Sequence, residues 1–309
     1  MQRAKHKVTH PFVFAPLLVL ILIFFITVSR FIPMNKLGII GACLLMCFFQ
    51  AVMFGIPIGI YAYMRRGALR TVFEGRLSLS GAPVIIFGAL MLILQSCVLK
   101  FGIFRFGYKI DAFQLYGSSF DVSAGSAAEL AAITAAYAII PAIVEEIMFR
   151  GVISREYRIG GPAFAAIFSS LFFAIIHFDA ALFPVYFFAG LTLSAVRFVT
   201  DSLAASMAVH AAYNIFAVFL ERYVWLMSSS PDSQLLFWFI LIALFLLCAF
   251  LFFRFSALGL EKAAYSERAY PFGKAGVKKL PLSVDALTSP TALVCFAVFV
   301  VSVIITAIV

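Results

Sequence analysis

Long apolar runs recur along this chain of 309 residues and limit what it can fold into. A helix needs about 20 mainly apolar residues to cross a bilayer, and only helices or closed barrels satisfy their own backbone hydrogen bonds there. The composition agrees, since 64% of the residues are hydrophobic and 12% are charged, whereas soluble domains have roughly half and a quarter. The sequence therefore predicts an all-α, polytopic transmembrane helix bundle with about eight to nine spans.

Nine segments have the length and hydropathy of a span. They are residues 11–29, 38–63, 82–103, 127–150, 162–179, 181–199, 203–226, 234–253 and 291–309. We divide the chain into N-terminal spans (1–126), a central segment (127–226) and C-terminal spans with a basic linker (227–309). That linker, the longest polar one, runs from about Ser256 to Pro290, and we expect it to lie along the membrane surface.

The basic residues indicate how the chain is oriented in the membrane. The net charge is +9, but Arg and Lys are spread over loops between apolar runs, which favours lipid headgroups over nucleic acid as their partners. With a cytoplasmic N-terminus, sixteen Arg and Lys lie in cytoplasmic loops and six on the other side. This is the bias that the positive-inside rule requires. The sequence thus predicts a cytoplasmic N-terminus and a C-terminus on the opposite side.

Two further features of the apolar runs have ordinary structural explanations. The run from Pro11 to Val28 follows a basic tail, as in a signal peptide, but it is long and no small-residue cleavage site follows it. We therefore expect an uncleaved first span. All five cysteines lie in apolar runs, where they are expected to be small buried side chains without a disulfide or metal role.

The stretch "IIPAIVEEIMFRGVISREY", from Ile139 to Tyr157, places two acids and an arginine inside a predicted span. A charged side chain near the centre of a spanning helix costs roughly 2.5–3.5 kcal/mol on insertion scales, so such residues usually carry function. Polar and charged groups within the spans concentrate in one region: Glu145, Glu146, Arg150, His177, Arg197, His210 and Asn214. Arg197 lies near a predicted cytoplasmic helix end, and we expect it to extend to the headgroups.

Helical spacing separates the two glutamates. Glu146 and Arg150 are four residues apart, so they can pair on one face as a brace, while Glu145 points about 100° away. A carboxylate without a partner in a low-dielectric setting holds a proton more readily, which suits a general base. His210 and Asn214 are also four apart. They therefore bring an imidazole and an amide to one face of another helix.

A predicted turn brings two of these residues to one depth. The letters "RIGGPA" around Gly160 and Gly161 are typical of a turn between helices. Glu145 lies fifteen residues before the first glycine and His177 sixteen after the second. An antiparallel hairpin would place both roughly 22–24 Å from its tip. The same geometry leaves Asp179 at a depth where the sequence offers it no partner.

Three motifs, in order along the chain and each on a predicted span, carry a family resemblance. "EEIMFR" matches EExxxR, "FAIIH" matches FxxxH and "HAAYN" matches HxxxN. Over residues 127–222 the chain resembles the CPBP family of CAAX prenyl proteases and bacteriocin-processing enzymes, also called the Abi family. The resemblance implies an intramembrane endopeptidase within a transmembrane bundle, with its catalytic core at 127–226.

The resemblance also implies roles for the motif residues. Glu145 and His177 would activate a water, His210 and Asn214 would stabilise the oxyanion, and the Glu–Arg pair would complete the first motif. Peptide hydrolysis needs such a base and such donors. Two His and a Glu are also a common zinc set, so a divalent metal such as zinc is the alternative. Because the chain has no HExxH helix, we prefer a glutamate mechanism without a cofactor.

The resemblance leaves the substrate open. In eukaryotic members it is a prenylated C-terminal tetrapeptide, whereas the short loops here are more similar to bacterial members, which act on peptides or membrane proteins. The expected partners are a membrane-embedded or membrane-associated peptide or protein substrate and the lipid bilayer, with no nucleic acid. The expected location is the bacterial cytoplasmic membrane.

Two other classes of function remain open at this point. Buried Glu and His also serve as proton relays in transporters, although the internal repeats that transporters usually show are not found here. A catalytically silent family member could instead act as a membrane binding or immunity protein. The intact motifs favour the peptidase over both.

Overall fold

The computed structural model describes residues 10–29, 31–32, 36–73, 75, 78–105, 125–228, 234–265 and 279–308. Within these ranges the protein is all-helical and contains no strand, which confirms the predicted fold class. The N-terminal tail and the middle of the predicted linker lie outside the described residues.

Twelve helices organise the described chain. They are α1 (Pro11–Ser29), α2 (Ile39–Met64), α3 (Ala68–Val72), α4 (Ala82–Arg105), α5 (Ala127–Gly160), α6 (Pro162–Ile175), α7 (Phe183–Thr200), α8 (Leu203–Phe219), α9 (Glu221–Ser228), α10 (Gln234–Tyr265), α11 (Lys279–Leu287) and α12 (Pro290–Ile308). Six of these described helices, α1, α2, α4, α5, α7 and α10, are long and apolar enough to cross a membrane. The number rises to eight if each of two bent pairs is one span: α8 with α9, bent by 53°, and α11 with α12, bent by 59°.

The predicted span at 162–179 is shorter than expected. Helix α6 has 14 residues and ends at Ile175, so it is about 21 Å long against a hydrocarbon core of about 30 Å. Phe178 follows with a left-handed φ of 54°, which ends the helix because L-residues rarely adopt that conformation within one. The turn after α6 is partly buried, with Phe178 and Leu182 buried and Ala180 exposed.

The predicted surface linker is also shorter than expected at both ends. Helix α10 continues through Ser256 to Tyr265, and α11 begins at Lys279. Apolar residues such as Leu258 and Leu260 still occur after Ser256, and the helix continues through them.

Local sequence signals explain where several helices begin. Ser126 and Glu129 form a reciprocal capping box at the start of α5, which satisfies two backbone N–H groups that the helix leaves unpaired. Ser202 accepts a hydrogen bond from the N–H of Ala205 at the start of α8. Pro162 opens α6, where its missing N–H costs nothing.

The first and last helices support the centre of the bundle. Leu18 and Leu22 of α1 are fully buried and belong to one apolar cluster with Phe149 of α5. The hydroxyl of Thr291 in α12 donates to the carbonyl of Val13 at 2.9 Å. Helix α1 is thus part of the core that holds the acidic segment of α5.

Candidate active site

Helix α5 contains two π-helical segments, and the second one includes Arg150 of the first motif. These are Ala135–Ile139 and Ile147–Ile153, and Glu145 and Glu146 lie in the α-helical turns between them. Such segments are rare and occur often at functional sites, because they displace backbone carbonyls from the regular hydrogen-bond ladder. Here the carbonyl of Ala138 accepts a hydrogen bond from Asn214 Nδ2 at 3.4 Å.

Glu146 is held in a buried network with Arg150 and His210. Arg150 Nη1 lies 2.9 Å from Glu146 Oε1, as the four-residue spacing predicts. The same oxygen lies 3.0 Å from His210 Nδ1. Glu146 is 0% exposed and Arg150 is 3% exposed, so this ion pair is protected from solvent. Arg150 and His210 therefore share one oxygen of the buried Glu146 carboxylate.

Two further contacts fix the Arg150 guanidinium. Its Nη2 donates to the carbonyl of Gly190 at 3.2 Å, and its Cζ lies 4.5 Å from the centre of the Phe173 ring, within cation–π range. A Cβ on Gly190 would lie 2.7 Å from Ser170 Cβ. Only a glycine allows α6 and α7 to approach this closely, and that approach places the carbonyl beside Arg150.

Glu145 stands apart from this network. Its Oε2 is 3.8 Å from His210 Nε2, and its side chain is 15% exposed. The ion pair of Arg150 in the described structure is with Glu146, so Glu145 is the glutamate without its own cation. It borders a cavity of about 250 Å³, enough space for several waters, since a water takes about 30 Å³ in the liquid.

His177 presents one ring nitrogen to the same cavity. Its Nδ1 lies 2.7 Å from the carbonyl of Phe173, and a carbonyl only accepts, so Nδ1 carries the proton and Nε2 is an acceptor. The ring stacks on Tyr186 with centroids 3.8 Å apart and 15° between the planes. Phe173 meets the other side edge-on. The imidazole is thus fixed in tautomer and in orientation.

The cavity brings together residues from all three motifs. Glu145, His177, His210 and Asn214 all border it. Glu145 and His177 come from the two arms of the predicted hairpin, and Gly161 at its tip has a left-handed φ of 92°. The two side chains therefore do lie at one level, as the count of residues from the turn predicts.

Asp179, which the sequence left without a partner, has one in the turn after α6. Its Oδ1 accepts a hydrogen bond from the N–H of Leu182 at 2.9 Å, just before α7 begins. Non-helical backbone at membrane depth is tolerated where it is enclosed by protein or lines a cavity. The neighbouring His177 borders the cavity, which accounts for a polar turn at this depth.

The prediction for Arg197 is wrong. Its side chain is not extended to the headgroups but is buried, with 4% exposed, and Nη1 lies 2.9 Å from Asp201 Oδ1. Asp201 is one helical turn further on and ends α7 with a left-handed φ of 50°. A carboxylate within the protein thus replaces the lipid headgroup as the partner. Arg197 is not among the residues that border the cavity.

The structure adds polar residues that the sequence reasoning missed. Gln50 of α2 borders the cavity, and a polar residue in the apolar run "CFFQAVMF" was a signal that could have found it. Lys100 is one of the six basic residues counted on the non-cytoplasmic side, but it is buried in α4, and its Nζ lies 2.6 Å from Glu221 Oε1. One helical turn before Lys100, Ser96 Oγ lies 3.0 Å from the hydroxyl oxygen of Tyr213. Tyr213 also borders the cavity.

The described His, Cys, Asp and Glu side chains are not arranged as the ligands of a metal ion. In the ranges that the structure describes, no three His, Cys, Asp or Glu side chains are grouped as the ligands of one ion would be. His210 Nδ1 is directed to Glu146, and His177 Nδ1 to a carbonyl. Of the described cysteines, four are buried and Cys47 is half-buried.

Fold and site together define a multi-pass, all-helical membrane protein with a buried cavity bordered by Glu, His and Asn side chains. Residues 127–216 match the family described as "Type II CAAX prenyl endopeptidase Rce1-like". This match includes all three motifs and confirms the resemblance to the CPBP family over that segment, just under a third of the chain. It supports an intramembrane CAAX-type endopeptidase in general. No curated protein and no solved structure matches the chain.

Proposed function

We propose that this protein is an intramembrane endopeptidase that hydrolyses a peptide bond of a membrane-associated peptide or protein, with Glu145 as the base that activates water. The observation that carries the proposal is the single cavity bordered by Glu145, His177, His210 and Asn214. A carboxylate, an imidazole acceptor and N–H donors around one space that can hold water and a peptide bond are what addition of water to an amide requires.

In the first step, a water in the cavity donates one hydrogen bond to Glu145 and another to His177 Nε2. Glu145 takes the proton as the water oxygen forms a bond to the carbonyl carbon of the substrate. The carbonyl π electrons move to the oxygen, which becomes an oxyanion. Because the His177 ring is already fixed by Phe173 and Tyr186, little ordering is needed when the transition state forms.

His210 and Asn214 supply donors for the oxyanion. The Asn214 amide has two N–H groups, and only one is directed to Ala138. His210 Nδ1 faces Glu146, which is ionised beside Arg150, so that nitrogen must carry a proton. Nε2 then donates only in the doubly protonated ring.

In the second step, the tetrahedral intermediate collapses. The electrons of the oxyanion re-form the C=O bond, the C–N bond breaks, and Glu145 gives its proton to the departing nitrogen. The products are one new carboxyl terminus and one new amino terminus. No cofactor enters this sequence, and addition of a metal chelator to the purified protein is expected to leave the rate unchanged.

The test is a comparison of protein termini in membranes that contain the wild-type protein or Glu145→Gln. Glu145→Gln removes the base while keeping the size of the side chain, so termini that depend on catalysis disappear. Glu129→Gln is the matched control on the same helix, because Gln at this position can still form the capping box. If the termini found with Glu145→Gln equal those of the wild type, the protein is not a peptidase of this mechanism.

A further inference from the structure

Gln50 joins the cavity from a helix outside the family match. It lies in α2, within an apolar run, and is 6% exposed. Together with Glu145 and His177 it borders the cavity. The matched segment begins at residue 127, so the three motifs assign no role to a residue of α2.

One end of the Gln50 amide is already bonded. Its Nε2 donates to the carbonyl of Ala136 at 3.0 Å, and Ala136 lies in the first π-helical segment of α5. Because a carbonyl accepts only, this bond fixes which way the amide faces. The oxygen Oε1 is buried and has no hydrogen-bond partner in the described structure.

A buried acceptor without a donor lowers stability, and such groups are uncommon unless a ligand or a water completes them. A peptide that enters the cavity brings backbone N–H groups that lose water and need acceptors. Among the other residues that border the cavity, His177 Nδ1 and Asn214 Nδ2 are donors, and Glu145 is occupied by water in the proposed reaction. Gln50 Oε1 is therefore a buried, uncommitted amide acceptor on a residue that borders this cavity.

We propose that Gln50 is a substrate-binding residue, and that its Oε1 accepts a hydrogen bond from a backbone N–H of the peptide in the cavity. This inference rests on the proposed function. It extends the substrate site to α2, so that the peptide backbone lies between α2 and the helices that carry the motifs. The donor is part of every peptide except at proline, so this contact orients the chain without selecting side chains.

The experiment uses purified full-length protein in nanodiscs and a synthetic peptide that spans the Glu145-dependent cleavage site. Gln50→Met keeps the approximate length but removes donor and acceptor. Gln50→Glu keeps an acceptor oxygen in either protonation state and loses the amide donor to Ala136. Gln95→Met is the matched control, because Gln95 is a second glutamine within a spanning helix and does not border the cavity.

We expect Gln50→Met to raise KM about three- to tenfold, the range for one hydrogen bond, with a smaller change in kcat. Gln50→Glu keeps KM near the wild-type value. Both variants lower the melting temperature by losing the bond to Ala136, and the control leaves KM unchanged. A peptide methylated at the contacted N–H should have a KM that is raised by the same factor with the wild type. With Gln50→Met the methyl group should raise KM no further.

Three results would overturn the inference. KM could stay constant in Gln50→Met, which would mean that water completes Oε1. KM could instead rise equally in the Met and Glu variants, which would reduce Gln50 to a support for the π-helical segment. Finally, absence of any Glu145-dependent cleavage would contradict the proposed function itself. Normal dependence on Glu145 together with a wild-type KM in the Gln50 variants would contradict only this inference.

Discussion

At the scale of single residues, two adjacent carboxylates have different surroundings. Glu146 is fully buried between Arg150 and His210, while Glu145 reaches the cavity and is 15% exposed. The difference follows from helical geometry, because neighbouring residues point about 100° apart. One glutamate can therefore balance a buried cation while the next one faces the space where a substrate would bind.

This difference predicts opposite effects of two similar substitutions. Glu146→Gln leaves Arg150, only 3% exposed, buried without its counter-charge, which costs about 3–5 kcal/mol. Glu145→Gln removes no such partner and should leave stability close to the wild-type value. The measurement is the midpoint of thermal unfolding of both variants in the same nanodiscs. Equal losses would contradict the assignment of the ion pair to Glu146 alone.

At the scale of helices, the site depends on how closely α6 and α7 approach each other. Gly190 of α7 contacts Ser170 of α6, and its carbonyl accepts from Arg150. Small residues allow such approach between helices in a membrane, where burial of apolar surface gives little driving force. The close approach therefore stabilises the bundle and also positions the network behind Glu145.

A methyl group at this position is expected to separate the two helices. In Gly190→Ala the new Cβ would lie 2.7 Å from Ser170 Cβ and 2.9 Å from its Cα, so the backbone must shift, at a cost of roughly 1–3 kcal/mol. The unfolding midpoint should fall and cleavage should weaken, because the acceptor of Arg150 moves.

Gly55→Ala in α2 is the matched control for that substitution. Nothing lies within 4 Å of a Cβ there, and Ala is the better helix former by about 0.5–1 kcal/mol. The control should be at least as stable as the wild type. A Gly190→Ala variant as stable as this control would show that the two helices do not constrain each other.

At the scale of the whole molecule, contacts between distant segments agree with the membrane topology that the basic residues predict. Arg65 at the end of α2 lies 2.7 Å from Glu156 near the end of α5. Lys100 of α4 pairs with Glu221 after α8. Each contact joins helix ends that the charge count assigns to the same side. The short α6 does not change the sides assigned to the later helix ends, because α6 and α7 form a hairpin that returns to the side on which it begins.

The absolute orientation remains a prediction from charge. We expect the N-terminus in the cytoplasm and the C-terminus on the opposite side, since sixteen basic residues against six favour that arrangement. Fusions of a fluorescent protein and of alkaline phosphatase to each end measure it, because the first fluoresces inside the cell and the second is active outside. Both termini reporting the same side would mean that the chain crosses the membrane an even number of times, which contradicts this arrangement.

The sequence by itself determined the helical membrane class, because apolar runs of span length leave the backbone no other way to bond within lipid. It also determined the pairing of Glu146 with Arg150, because residues four apart share one face of a helix, and the common level of Glu145 and His177, which needs only one turn. The tertiary structure decided the rest. Gln50, Lys100 and the partner of Arg197 could not be read from local spacing, since each depends on which distant helix lies alongside.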